Sequence, residues 1–243
     1  MKKLVIGTMS LTFAALAPTI AQAQDVSVST SIDLVSEYVF RGISFAETAI
    51  QPGVEVSVND FTVGAWYSAA IGESSAAAGD EIDLYASYSV PLFDNISTDI
   101  GITYYHFPQG GSLFETDGGG AGTYEVFGSL GFDTLLSPSV AAYYDFTLEA
   151  FTLEGGVSHS FDIAEKATLD FGITGGLVDG DGFSYEYGLG SASIGYSFTD
   201  DASAYVGVNY SVNSEDFLKF RQVLTEVGEN NLVWAGIGIA TGF

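Results

Sequence analysis

Val28-Ser29-Thr30-Ser31-Ile32-Asp33-Leu34-Val35-Ser36-Glu37-Tyr38-Val39-Phe40 decides the fold, because its side chains alternate in kind. Val28, Thr30, Ile32, Leu34, Ser36, Tyr38 and Phe40 fall on one phase, and Ser29, Ser31, Asp33, Glu37 and then Arg41 on the other. A period of two is that of an extended strand with one apolar and one polar face. The pattern repeats. Ile50, Pro52, Val54, Val56 and Val58 oppose Gln51, Gly53, Glu55, Ser57 and Asn59, with Pro52 near the strand start, where a missing donor is best tolerated. Phe61 to Ala69 and Ile82 to Val90 alternate likewise, with Trp66 and Tyr85 on the polar phase.

Further strands are predicted at Ile96 to Phe107, Thr123 to Phe132, Ser139 to Asp145, Phe151 to Phe161, Ala167 to Leu177, Tyr185 to Phe198, Ala202 to Val212 and Leu232 to Phe243. In the Tyr185 strand the phase changes near Ser191, which predicts a bulge. The count is twelve, and an even number places both chain ends on one side. Connections alternate between short ones, such as Asn59-Asp60 and Thr199 to Asp201, and longer ones, such as Ile71 to Asp80, Pro108 to Gly122, Val178 to Ser184 and Asn213 to Asn230; Phe146 to Ala150 breaks the rule. Short inner turns and long outer loops are the habit of outer-membrane barrels, so the first strand is expected to run outward.

Alternation alone leaves open which face looks inward, and a soluble sandwich or lipocalin-like barrel shares it. Length favours a membrane wall, since several runs reach the about 9 to 11 residues that a tilted strand needs to cross hydrocarbon. Aromatics near strand ends, among them Tyr38, Phe40, Phe61, Tyr88, Tyr104, Phe132, Phe161 and Phe198, suit interfacial girdles. The fold expected is an all-β, transmembrane, antiparallel up-and-down barrel of about twelve strands over residues 24–243.

The start of the chain supports export. Met1-Lys2-Lys3, an apolar run from Leu4 to Ala17 and the ending Ala21-Gln22-Ala23 read as a signal peptide of residues 1–23, taken by the Sec-type route. The apolar run is too short for the about 20 residues of a spanning helix. With no cysteine, stability in an oxidising compartment must come from something other than cystines, such as a closed sheet. The formal charge of −25 makes nucleic acid a poor partner, while 47% hydrophobic residues exclude simple disorder. Charge and grease must therefore sort onto different faces. Outer-membrane lipid is the expected surroundings, in a Gram-negative-type cell.

The polar phase carries Asp33, Glu37, Glu55, Glu81, Asp83, Asp99, Glu125, Glu154 and Asp170, with Arg41 as its one basic residue. Carboxylates lining a narrow watery tube favour cations, so these ten are the expected pore-lining residues of a passive channel for ions or small solutes. Twelve strands enclose less than the sixteen to eighteen of a wide pore. Arg41 should pair with Glu37 or Glu55 and pin the first strand. The alternative is a non-conducting structural or adhesive barrel whose acidic loops, through Glu115, Asp117, Asp179, Asp181, Glu215 and Asp216, bind cations or surface lipid.

The stretch Ser36-Glu37-Tyr38-Val39-Phe40-Arg41-Gly42-Ile43-Ser44, followed by Ala49-Ile50-Gln51-Pro52-Gly53, resembles the TorF-type porin family, which carries S-(D/E)-Y-x-F-R-G-x-(S/T) near the mature start. Glu37 stands where Asp is usual. The resemblance implies an outer-membrane porin. The terminal Phe243 resembles the ending by which outer-membrane barrels address the barrel-assembly machinery.

Enzymatic readings find little support. The His-x-Ser spacing of the outer-membrane phospholipase is missing, since Phe161 follows His159 and Pro108 follows His106 at that distance. Both histidines read as interfacial aromatics on the outer face. Asp179-Gly180-Asp181-Gly182 lacks the further acids of a calcium loop and reads as a turn. No catalytic residue, cofactor or metal site is expected.

Overall fold

The computed structural model describes residues 26–71, 79–92, 95–115, 122–215 and 230–243. The leader assigned to residues 1–23 and parts of three outer connections, Asp117 and Asp216 among them, lie outside the described residues.

Twelve strands close into one antiparallel barrel: β1 (Val26–Val35), β4 (Ala49–Val58), β5 (Phe61–Ala70), β6 (Glu81–Ser89), β7 (Ile96–His106), β8 (Gly122–Phe132), β9 (Ser139–Asp145), β10 (Ala150–Ala164), β11 (Ala167–Gly180), β12 (Phe183–Ser197), β13 (Ala202–Asn213) and β14 (Asn231–Gly242). Each strand pairs with its neighbours in sequence, and β1 closes the ring between β4 and β14. Closure leaves no edge whose backbone groups would go unpaired in lipid. The seam continues to the last residue, because the Phe243 N–H donates to the Val28 carbonyl at 2.9 Å and receives the reverse bond at 3.1 Å. Pro52 interrupts only the β4–β5 ladder, which skips from Ile50↔Ala69 to Gly53↔Trp66.

The sorting is inside out. On β1, Asp33 is 8% exposed while Ile32 and Leu34 on either side are 51% and 41% exposed. Phe61, Tyr88, Phe161 and Phe198 are also outward and exposed, as girdle residues should be. Burying polar side chains while presenting leucine and isoleucine outward is favourable where the outside is hydrocarbon and the inside is wet.

Three expectations need correction. The strand from Val28 to Phe40 ends at Val35, and a short hairpin, β2 (Tyr38–Phe40) and β3 (Ile43–Ala46), intervenes before β4. Tyr38 and Phe40 keep the alternation but leave the wall, so neither is a girdle residue. The bulge at Ser191 is absent, since β11 and β12 pair without a shift from Ala167↔Tyr196 to Gly180↔Phe183. The apolar phase changes there because Tyr185 and Tyr187 are buried inside the barrel, near Ile43 of the hairpin, whereas Ile194 and Tyr196 face outward. Val178 to Ser184 is not a long loop either. Both strands run on to a two-residue turn, Asp181-Gly182, with Gly182 at φ 80°, a conformation natural to glycine.

Candidate functional site

The sequence from Ser36 to Thr48 does not arch over the barrel mouth but crosses its interior. Its turn is Arg41-Gly42, with φ of 46° and 78°, the pair of positive values that a tight two-residue hairpin turn of the mirror-image type requires. Near its base, the Tyr38 ring packs on Trp66 of β5 at 5.5 Å and its phenol donates to Glu81 of β6 at 2.6 Å. In mid-span, Phe40 meets Tyr105 of β7 at 5.8 Å. At the tip, the Arg41 fork donates to both Glu125 oxygens of β8, at 2.6 and 2.9 Å, and lies 4.3 Å over the Tyr143 ring of β9. Beyond the tip, Asn213 of β13 donates to the Gly42 carbonyl at 3.2 Å. Glu37 accepts from the Ser44 hydroxyl and braces the two arms of the segment.

Arg41 thus pairs with Glu125, not with Glu37 or Glu55, and holds the hairpin instead of the first strand. Loss of water around the guanidinium acts against its charge, but the adjoining Glu125 carboxylate outweighs this and holds its pKa well above the ordinary value. The pair is a planar, two-pronged contact that a lysine could not copy.

Below and around the hairpin, a device recurs on the wall. Glu55 of β4, Gly64 of β5 and Tyr85 of β6 stand in one cross-strand row. So do Glu154, Gly176 and Tyr187 of β10, β11 and β12, and Asp33, Gly238 and Tyr205 of β1, β14 and β13. In each row the tyrosine ring lies against the glycine and its hydroxyl bonds the acid beyond. Tyr85 donates to Glu55 at 3.1 Å, Tyr187 donates to Glu154, and Tyr205 bonds Asp33. A Cβ on any of the three glycines would overlap the ring that covers it. Glycine is therefore required by the close approach of the ring, and the ring fixes each carboxylate against the wall.

Every one of the ten expected lumen residues faces inward. Asp33, Glu81, Asp83, Asp99, Glu125 and Glu154 are buried on the wall, and Glu55 and Asp170 are half-buried there. Glu37 and Arg41 are inside too, but on the hairpin and not on the wall. Asp99 takes the Ser89 hydroxyl at 2.6 Å, and Asp170 takes that of Thr168 at 2.9 Å. Residues the polar-phase reading passed over are the aromatic partners Tyr38, Tyr105, Tyr143, Tyr187 and Tyr205, together with Asp145. Tyr105 and Tyr143 do sit on the polar phase of their strands, which was the available signal. Asp145 accepts the N–H groups of Thr147 and Leu148 and shapes the outer turn after β9. Both histidines lie on the outer phase, as expected. His106 is nonetheless buried, because Tyr104 and Phe114 stack over that surface. Phe243, at 82% exposed, faces outward at the seam.

A closed antiparallel wall, greasy outside and carboxylate-lined within, is the architecture of a transmembrane β-barrel. Solved structures share the fold. The KdgM porin matches with a TM-score of 0.53 at 12% identity, covering 89% of this chain and 99% of that one. The NanC porin matches at 0.52 and 13%, with the same coverage. The COG4313 outer membrane channel from Pseudomonas putida F1 matches at 0.51 and 9%, covering 92% and 97%. No curated protein sequence matches. By sequence, the chain belongs to the family described as bacterial protein of unknown function, Gcw_chp, which it matches over residues 20–146.

Proposed function

We propose that this protein is an outer-membrane porin, a narrow passive channel that prefers cations, with the β2–β3 hairpin as its constriction. One observation carries the reading. The inward face holds carboxylates from β1, β4, β6, β7, β8, β10 and β11, and the one inward guanidinium among the described residues, Arg41, is already neutralised by Glu125. The net field inside is negative, which concentrates cations and repels anions. On this reading Asp33, Glu55, Glu81, Asp83, Asp99, Glu125, Glu154 and Asp170 line the pore wall, and Glu37 and Arg41 belong to the constriction.

The KdgM porin has been seen in complex with disordered oligogalacturonate. An acidic oligosaccharide would be repelled here, so the solutes proposed for this chain are small cations or small neutral molecules. The remaining parts of the proposal follow from the sequence: residues 1–23 as a signal peptide for Sec-type export, residues 24–243 as the barrel domain, Phe243 as the address for the assembly machinery, and kinship with TorF-type porins through Ser36 to Ser44. No catalytic role is assigned to any residue.

Planar-bilayer recording of the refolded barrel across a potassium chloride gradient tests the reading. A reversal potential of the sign for potassium is expected. Chloride selectivity, or a correctly folded barrel that passes neither ions in the bilayer nor small sugars in liposome swelling, refutes it in favour of the structural barrel.

A further inference from the structure

Glu81 and Asp83 lie two residues apart on the inward face of β6, beside the hairpin base, and are 1% and 0% exposed. Glu81 accepts the Tyr38 phenol and adjoins the Asp83 carboxyl. Among the described residues, no N–H or O–H partner satisfies either Asp83 oxygen. Among the described residues, the surroundings offer no free positive charge. The hairpin contributes Tyr38, Glu37, which is bonded to Ser44, and Arg41, which is committed to Glu125. From β7 comes Tyr105, whose phenol donates to Glu125 on β8. Along β6 itself lies Tyr85, bonded to Glu55 of β4. Opposite the pair on β5 stand Ser68 and Trp66, neither of which titrates. His106 is on the opposite face of β7.

Two adjoining carboxylates shut away from water cannot both be ionised, because neither hydration nor a counter-charge offsets their repulsion. A proton between them supplies the donor that Asp83 lacks while leaving a Glu81 oxygen for Tyr38. A metal ion would ask for more ligands, and among the described residues no group of three His, Cys, Asp or Glu side chains converges. We propose that Glu81 and Asp83 form a proton-binding site whose single shared proton latches the hairpin across the lumen. The site is occupied when the hairpin is seated. Release of the proton to lumen water leaves two carboxylates, which drive the Tyr38 base of the hairpin away and admit water. The seated state holds one more proton than the released state, so rising pH favours release.

The conductance consequence rests on the porin reading, but the latch has readouts of its own. Glu81→Gln keeps an acceptor for Tyr38 and offers Asp83 a permanent donor, so it fixes the seated state; Asp83→Asn, which removes the dianion by the other partner, serves if the first variant folds poorly. Infrared difference spectra of parent minus variant should contain the carbonyl stretch of a protonated carboxylic acid, lost as pH rises. Because the chain has no cysteine, Ser44→Cys places a single thiol on a hairpin position that is fully buried. Its labelling rate by a water-soluble thiol reagent, divided by the rate in the Glu81→Gln background to remove the thiol's own ionisation, should rise at least tenfold from low to high pH. Channel conductance should rise over the same interval in the parent and stay flat in Glu81→Gln.

A labelling ratio that stays constant, or a difference spectrum without the acid band, overturns the latch even if the barrel conducts. So does a labelling rate that follows added potassium or calcium chloride at fixed pH, which would put a cation where the proton is proposed. If band and labelling titrate as described while the bilayer shows no conductance at any pH, the latch stands and the porin reading falls.

Discussion

Arg41→Ala removes the tip of the hairpin from its seat, and the size of the effect follows from what surrounds the guanidinium. The side chain is 11% exposed and its partner Glu125 is 3% exposed, so the pair is shielded from the screening that makes surface ion pairs weak. Removing one partner of a buried pair costs about 3–5 kcal/mol, because the other is left as an uncompensated buried charge. Glu125 would keep only the Tyr105 phenol at 3.0 Å. It can regain water when the hairpin swings aside, so the lower end applies, about 3 kcal/mol, or roughly a hundredfold in the seating equilibrium. The lost contacts with Phe40 and Tyr143 add to this. No backbone hydrogen bond between wall strands is lost, so the barrel should still fold and show a heat-dependent shift in mobility on gels. Single-channel conductance should rise, and Ser44→Cys should label faster in the Arg41→Ala background. Arg41→Lys, which keeps the charge and loses the fork, should fall between the two. Unchanged conductance and labelling in a folded Arg41→Ala barrel would refute the view that this ion pair seats the hairpin.

Gly64→Ala puts a Cβ into the space of the Tyr85 ring; the ring should swing inward, release Glu55 and narrow the passage, at about 1–3 kcal/mol of barrel stability, read as a lower unfolding midpoint together with a smaller conductance. Replacing Asp33, Glu55 and Glu154 together by Asn, Gln and Gln should reduce the potassium-over-chloride permeability ratio by roughly half while leaving the fold intact, and an unchanged reversal potential would show that these wall acids do not set selectivity. Removing Phe243 deletes one backbone bond pair to Val28 and should leave refolding into detergent almost unaffected, while the amount of barrel reaching the outer membrane of cells falls; equal losses in both assays would point to a structural role only.

The wall was legible in the sequence because each strand states its own two faces, and the polar phase of β1, β4, β6, β7, β8, β10 and β11 marked the inward carboxylates. The hairpin was not, since Ser36, Tyr38 and Phe40 carry on the rhythm of the preceding strand after the chain has left it. Its best clue was Arg41-Gly42 between two aromatic-rich arms, a two-residue turn in a stretch otherwise read as one strand and a loop. The acid–glycine–tyrosine rows could not be read at all. They depend on the register of three strands at once, and Asp33 and Tyr205 meet only because the last strand closes on the first. The phase change in β12 misled for a related reason. A buried tyrosine looks lipid-facing until the hairpin that covers it is placed.

The hairpin hangs between β1 and β4, yet its tip is received by β8, β9 and β13, up to 171 residues away along the chain. While the cylinder is still an open sheet, β13 lies far from β8 and β9 and the tip cannot reach all three at once. Its seat is complete only when the final strand meets the first. During biogenesis the full set of tip contacts, the one from Asn213 included, can therefore be complete only after the seam is sealed.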